Sequence, residues 1–167
     1  LIGGQKRWIT MPVRKTGRFG QRINEVEINY ETNFLEKHLR TLELNYKKAK
    51  FFDDFFPILE KVYTKRTKYI SHFNSLFIME VTKFLGLERV FIHSSDLLET
   101  YPDLDLLKGN ELILEICRKI EATQYISGTG CLDFINPKSF QKIGIEFYFQ
   151  NFVHPNYSQH KAIDFVS

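Results

Sequence analysis

Between Val90 and Gln150 the chain alternates short apolar runs with helical stripes. VFIHSS (90–95) is an apolar run closing on two hydroxyl residues. In ELILEICRKI (111–120), Leu112, Ile113, Ile116 and Ile120 recur with the spacing of one helix face. TQYISG (123–128) reads as a short strand ending in a glycine turn, and IEFYF (145–149) as a third strand. Asn136-Pro137 opens a second helix, with a capping side chain followed by proline at the first helical position. Gly144 closes that helix where a left-handed residue is needed. Strands alternating with amphipathic helices predict parallel pairing, with helices 111–121 and 137–142 as crossovers. The expected fold class is therefore α/β: a Rossmann-like open parallel sheet, with a βαβαβ unit over 90–150. In such sheets ligands bind beyond the carboxyl ends of the strands. Here those ends carry Ser94-Ser95, Ser127 to Gly130, and Gln150-Asn151.

The first half of the chain follows other periods. Arg7 to Val13 and Ile23 to Asn29 alternate like strands around the basic loop RKTGRFGQR (14–22), which predicts an N-terminal antiparallel ribbon. Pro12 cannot donate to a ladder, so its strand belongs at an edge or a bulge. Asn33 and Glu36 have capping-box spacing, and Leu35, Leu39, Leu42, Tyr46 and Ala49 then form a helix stripe. His38 falls beside that stripe as a hydrogen-bonded boundary histidine. Asp53-Asp54 cap a second helix from Phe55 to about Arg66, with Pro57 in its first turn. A third, from about Tyr69 to Leu85, buries Ile70, Phe73, Phe77, Val81 and Phe84 and stops at Gly86. The polar stretch 99–110, with Pro102, reads as a surface loop.

At 167 residues, 43% hydrophobic and with 16 Phe and 8 Tyr, the chain can bury a core and is not intrinsically disordered. No apolar run has membrane-spanning length. The net charge of +3 hides an asymmetry. Residues 1–70 hold 15 Lys and Arg against 8 Asp and Glu, whereas residues 71–167 hold 8 against 12. The basic half suits either phosphates or an acidic partner, or is a solvated face. Two unspaced cysteines form neither a zinc site nor a secreted disulfide framework, which points to a reduced, cytoplasmic setting. Leu1 to Gly4 is neither a signal peptide nor an initiator start, and Phe165-Val166-Ser167 has no closing turn. The expectation is one α/β domain over 1–167, incomplete at both ends.

Four stretches can carry chemistry. SGTG (127–130) is either an anion nest of backbone amides or a tight turn. Ser94 and Ser95 either present hydroxyls to a ligand or cap a turn. The basic loop 14–22 either wraps a phosphate or is solvated. HPNYSQH (154–160) is either an exposed loop or the reactive cluster. In the second case His154 is the proton-transfer candidate, and Tyr157 and Gln159 orient a sugar or phosphate. No histidine has carboxylate or cysteine partners in a metal-ligand pattern beyond Asp164 after His160, so no metal is expected.

The chain resembles the WbqC-like family of bacterial proteins. The resemblance rests on MPV (11–13), KAKFF (48–52), HSSDL (93–97), YISGTG (125–130), Phe140 with Gly144-Ile145, and HPNYSQ (154–159), in that order. It covers nearly the whole chain, although the opening segment usual in the family is absent. It implies a role in surface-polysaccharide (O-antigen) biosynthesis: a transferase acting on an activated amino sugar or its precursor, by acyl or aminoacyl transfer. The alternative is a non-catalytic nucleotide-sugar-binding or scaffold protein of the same pathway. His154 is then the catalytic candidate, and Ser94, Ser95, Tyr125, Ser127, Gly128, Tyr157 and Gln159 bind substrate. The expected partner is a small molecule, a sugar or nucleotide sugar. The cofactor is left open, and a nucleic-acid role ranks third because no recognised module is present.

Overall fold

The structure is a computed structural model that describes residues 2–153, 155–157 and 159. The chain divides into two compact units: residues 1–91 with 156–167, and residues 92–155.

Unit 1 is built on three helices: α1 (Phe34–Tyr46), α2 (Phe52–Thr64) and α3 (Ile70–Phe84). The expected N-terminal ribbon is reduced to single bridges. Val13 faces Ile28 and Glu27 faces Tyr69, both antiparallel, while Ile23–Glu25 winds into a 3-10 turn. Pro12 still contributes through its carbonyl, which accepts from the Asn29 amide at 2.9 Å. The bridges join three chain segments, because Ile28 N also donates to Lys68 O and Ile70 N to Val26 O. Ile28, Phe34, Val62, Tyr63 and Phe73 form the core. The ring of Tyr63 stands edge-on to Phe73 at 5.2 Å.

Local signals account for two of the helix ends in this unit. Asn33 and Glu36 do meet, although side chain to side chain: Asn33 Nδ2 donates to Glu36 Oε2 at 2.7 Å. α3 ends as expected at Gly86, in the left-handed region (φ 68°). Leu87 N donates to Thr82 O and Gly86 N to Lys83 O, the bond pair that satisfies the last carbonyls of a helix. α2 departs from expectation. It begins at Phe52, so Asp53 and Asp54 lie in its first turn, where carboxylates suit the helix dipole, rather than capping it. Pro57 is then the sixth helical residue, and Asp53 O lacks the helical donor that any other residue there would supply.

Unit 2 contains α4 (Ser94–Thr100), a 3-10 turn (Pro102–Leu106), α5 (Gly109–Lys119), β1 (Gln124–Ser127), a second 3-10 turn (Thr129–Cys131), α6 (Pro137–Gln141) and β2 (Glu146–Phe149). β1 and β2 pair in parallel, Gln124 opposite Glu146 through Ser127 opposite Phe149. The chain is thus α/β, and the unit β1–α6–β2 forms as expected. Asn136 Oδ1 accepts from Lys138 N at 3.1 Å, Pro137 is the first helical residue, and Gly144 (φ 78°) ends the helix.

The third strand of the expected βαβαβ unit is not there. Residues 87–93 are irregular, and Val90 is 89% exposed. Ser94 instead opens α4, with Asp96 in its first turn. Ser-Ser-Asp after an apolar run is a helix-start signal, and here it outweighs the strand preference of three β-prone residues. The stretch 99–110 is likewise more than a loop: its 3-10 turn buries Leu104 to 2% exposure. Among the helix residues expected in the core, Phe73 is buried and Phe77, Val81, Leu112 and Ile116 are half-buried. Ile120 caps the end of α5 and Phe84 is the last residue of α3, and both are exposed because a helix end runs past the core it packs on. The core of unit 2 is Cys117, Ile135, Phe140 and Ile145.

Candidate functional site

A cavity of about 970 Å³ lies in unit 1, where α1 turns into α2. The turn is KAKFF. Tyr46 O accepts from Ala49 N at 2.7 Å, Ala49 O from Phe52 N at 3.1 Å, and Phe51 O from Phe55 N at 3.1 Å. These bonds bring two lysines and four phenylalanines to one place. Phe52 and Phe56, one helical turn apart, stack at 4.6 Å and 23°. Leu42 and Tyr46 of α1 face Phe55, Phe56 and Leu59 of α2 across the cavity. Lys48 and Lys50 line it too, with Lys50 Nζ 5.0 Å from the centre of the Phe51 ring. Tyr157 and Gln159 complete the lining. The volume matches small-molecule sites, which are mostly apolar with a few placed polar groups. Aromatic faces accept the apolar faces of a sugar or base, and lysine ammonium groups take phosphate as point charges.

Two of the site residues expected from sequence, Tyr157 and Gln159, therefore lie together in this cavity. His154 lies outside the described residues. The other five belong to unit 2. Ser94 is exposed at the start of α4, and Ser95 Oγ donates to Asp96 Oδ1 at 3.2 Å. α4 packs on the 3-10 turn 102–106. Tyr125 is half-buried, its ring stacked on Phe140 at 5.1 Å and 8°, and burial pushes its phenol pKa up. Ser127 is 1% exposed and its Oγ donates to Gly128 O at 3.2 Å. Gln150 N donates to Ser127 O at 2.8 Å, so those two residues do meet at the strand ends. Gly128 is extended (φ −70°, ψ 154°) and Gly130 lies in a 3-10 turn. An anion nest needs alternating right- and left-handed residues, and this backbone has no left-handed member. A Cβ on either glycine would meet nothing within 4 Å.

Two further expectations can be placed. In the basic loop, Arg14 and Arg18 are held by carboxylates: Arg14 Nη2 lies 2.9 Å from Glu31 Oε1, and Arg18 Nη1 lies 3.2 Å from Glu27 Oε2. The Lys68 hydrogen bond, with the charges of Arg18 and Lys68, holds the Glu27 carboxyl below the usual range. His38 is the boundary histidine expected. Its Nδ1 is 3.2 Å from the Tyr63 hydroxyl and its ring stands edge-on to Phe34 at 5.3 Å. Burial lowers its pKa, opposed by a hydrogen bond to the Thr10 backbone.

Sequence reasoning missed Lys48, Lys50 and the phenylalanine cluster as a site. The available signal was Lys48, Lys50 and Phe51 in the connector, followed by Phe52, Phe55 and Phe56 in the first turns of α2. An uncharacterized protein of Mycobacterium tuberculosis, Rv1507c, is 28% identical over 141 residues, 83% of this chain and 58% of the relative. The chain thus spans less than three fifths of the length of the curated relative it matches. No solved structure matches it. Residues 1–167 match the WbqC-like protein family throughout, and the chain belongs to that family.

Proposed function

We propose that the cavity at the α1–α2 turn binds an activated sugar, and that the chain serves surface-polysaccharide (O-antigen) synthesis as the recognition part of a transferase for a nucleotide-linked amino sugar. One observation carries this reading: a ring-lined cavity of about 970 Å³ that also presents Lys48, Lys50 and Gln159. The rings stack on base and sugar faces. The ammonium groups neutralise the diphosphate, and the amide reads a hydroxyl or acetamido group. His154 stands three residues before Tyr157 in sequence and is the proton-transfer candidate for acyl or aminoacyl transfer.

A second reading, nucleotide-sugar binding without catalysis, has its own support. Among the described residues the cavity lining holds no Ser, Cys, His, Asp or Glu, so no nucleophile–base pair is assembled there.

Titration calorimetry with nucleotide diphosphates and their amino-sugar conjugates tests the site. Lys48→Ala and Lys50→Ala should each weaken the diphosphate probe by roughly tenfold, the size of a charge-assisted hydrogen bond. Wild-type-like affinity in both variants would remove the cavity from consideration. Binding that survives His154→Ala while acyl or aminoacyl transfer disappears selects the transferase. Binding with no transfer at all selects the second reading.

A further inference from the structure

From Lys6 to Ile23 the chain carries six Lys and Arg and no carboxylate, and its first acid is Glu25. The same stretch holds the two most exposed large apolar side chains described, Phe19 at 97% and Trp8 at 90%, with Ile23 at 63%. Single exposed apolar residues are ordinary on protein surfaces. This stretch differs because its backbone is shaped to hold one out. Phe19 lies between Gly17 (φ 71°) and Gly20 (φ 70°), both left-handed, in a conformation that other residues adopt only at a cost. A Cβ at either glycine would meet nothing, so the chain path and not crowding calls for glycine.

The base of the loop is fixed. Arg14 N donates to Glu27 O at 2.9 Å, Arg18 N to Lys15 O at 3.1 Å, and Gln21 Nε2 to Glu25 O at 3.1 Å. Glu27 and Glu31 hold Arg14 and Arg18 from below. Through Glu31 the segment still has six cations against three carboxylates. The result is a pinned cationic loop with a phenylalanine at its tip.

We infer that this segment docks the protein on an anionic lipid surface, with Phe19 and Trp8 entering the headgroup–acyl boundary and the segment's excess of positive charge drawn to lipid phosphates. Aromatic side chains favour that boundary, and basic residues near an anionic leaflet add attraction that falls off within a Debye length. A single-stranded nucleic acid would call for successive stacking rings along a cationic groove. Phe19 instead lies between Gly17 and Gly20 with Arg18 beside it, and the next apolar side chain, Ile23, has no ring to stack. The contact is peripheral and made by a loop. It does not depend on what the α1–α2 cavity binds.

Trp8 is the only tryptophan in the chain, so its emission reports on this segment alone. The test is sedimentation and fluorescence with phosphatidylcholine vesicles, with and without phosphatidylglycerol. The expected result is partition onto the anionic vesicles only, weakened by salt, with Trp8 emission shifted to the blue and quenched by brominated lipid. Phe19→Ala should lower partition by roughly tenfold, the transfer value of a phenyl ring. Lys15→Ala should lower it by about fivefold. Because Phe19 is almost wholly exposed, its replacement leaves the fold intact, which circular dichroism checks. Failure to bind anionic vesicles would overturn the inference. So would binding in which Trp8 emission stays fixed and Phe19→Ala has no effect, or retention by a single-stranded oligonucleotide with none by vesicles.

Discussion

The two units solve the same problem with different materials. Unit 1 closes its core with helices, using extended segments only as single bridges around Ile28. Unit 2 depends on a sheet of two four-residue strands, and its core of Cys117, Ile135, Phe140 and Ile145 is covered by Tyr125, Phe147 and Phe149 from one face of that sheet. A helix satisfies its own backbone, so an amphipathic stripe with sound ends suffices. A strand satisfies nothing until a neighbour arrives. Unit 2 therefore depends on β1 and β2 meeting, whereas each helix of unit 1 closes its own backbone bonds.

The sharpest way to break this comparison is Phe140→Ala. Phe140 is fully buried and meets the rings of Tyr125 and Phe147 at 5.1 and 5.2 Å. Transfer and cavity terms together should cost about 3–5 kcal/mol. Hydrogen exchange should show lost protection across β1, α6 and β2 while α1–α3 keep theirs. Equal loss in α1–α3 would mean that the units do not differ as described.

The next effect belongs to unit 1 and is set by pH. His38 is held neutral by burial against Phe34 and Tyr63, so its folded pKa lies below the unfolded value. The unfolded chain binds this proton first. The contribution is complete above the unfolded pKa of about 6.5 and is lost as pH falls from there through the folded pKa. Urea midpoints should drop between about pH 7.5 and about pH 5, and His38→Gln should flatten that slope. An unchanged slope would take His38 out of the account.

Smaller effects test the chain turns of unit 2. Gly144→Ala forces a Cβ into a left-handed position and should cost about 1 kcal/mol. Glu121 ends α5 in the same conformation (φ 55°), with Ala122 N donating to Cys117 O and Glu121 N to Arg118 O. Glu121→Gly should therefore stabilise by about 0.5–1 kcal/mol. Gly128→Ala should be nearly silent, within about 0.5 kcal/mol, since the backbone is extended and space is open. Thermal melts of the three variants set the order. A large loss at Gly128 would show a use for that glycine that the fold alone does not require.

This pattern explains what was legible in the sequence. Asn136-Pro137, Gly144 and Gly86 act within a few residues, and each was read correctly because the bonds it makes are local. β1 and β2 were legible because their connecting helix was. Val90–Ile92 was not, since a strand's identity lies in its partner, and Ser94 to Asp96 pull the following chain into α4. Pro57 was misplaced for a related reason: the packing of Phe52 on Phe56 extends α2 a turn earlier than its acidic residues suggest. For the candidate site, Tyr157 and Gln159 stood out as a polar cluster. Lys48 and Lys50 gain meaning only once the turn folds α2 back along α1.

The small sheet of unit 2 has a practical consequence for handling the protein. Among the described residues each strand pairs only with the other, so one row of its amides and carbonyls has no strand partner among them. The outer face adds Ile126 at 66% and Tyr148 at 51% exposure. Open edges beside apolar surface are templates for strand addition between molecules, and only Glu146 supplies a guarding charge within the two strands. Association should therefore rise with concentration more steeply than the net charge suggests. A lysine at Ile126, pointing away from the core, is the substitution that would lower it.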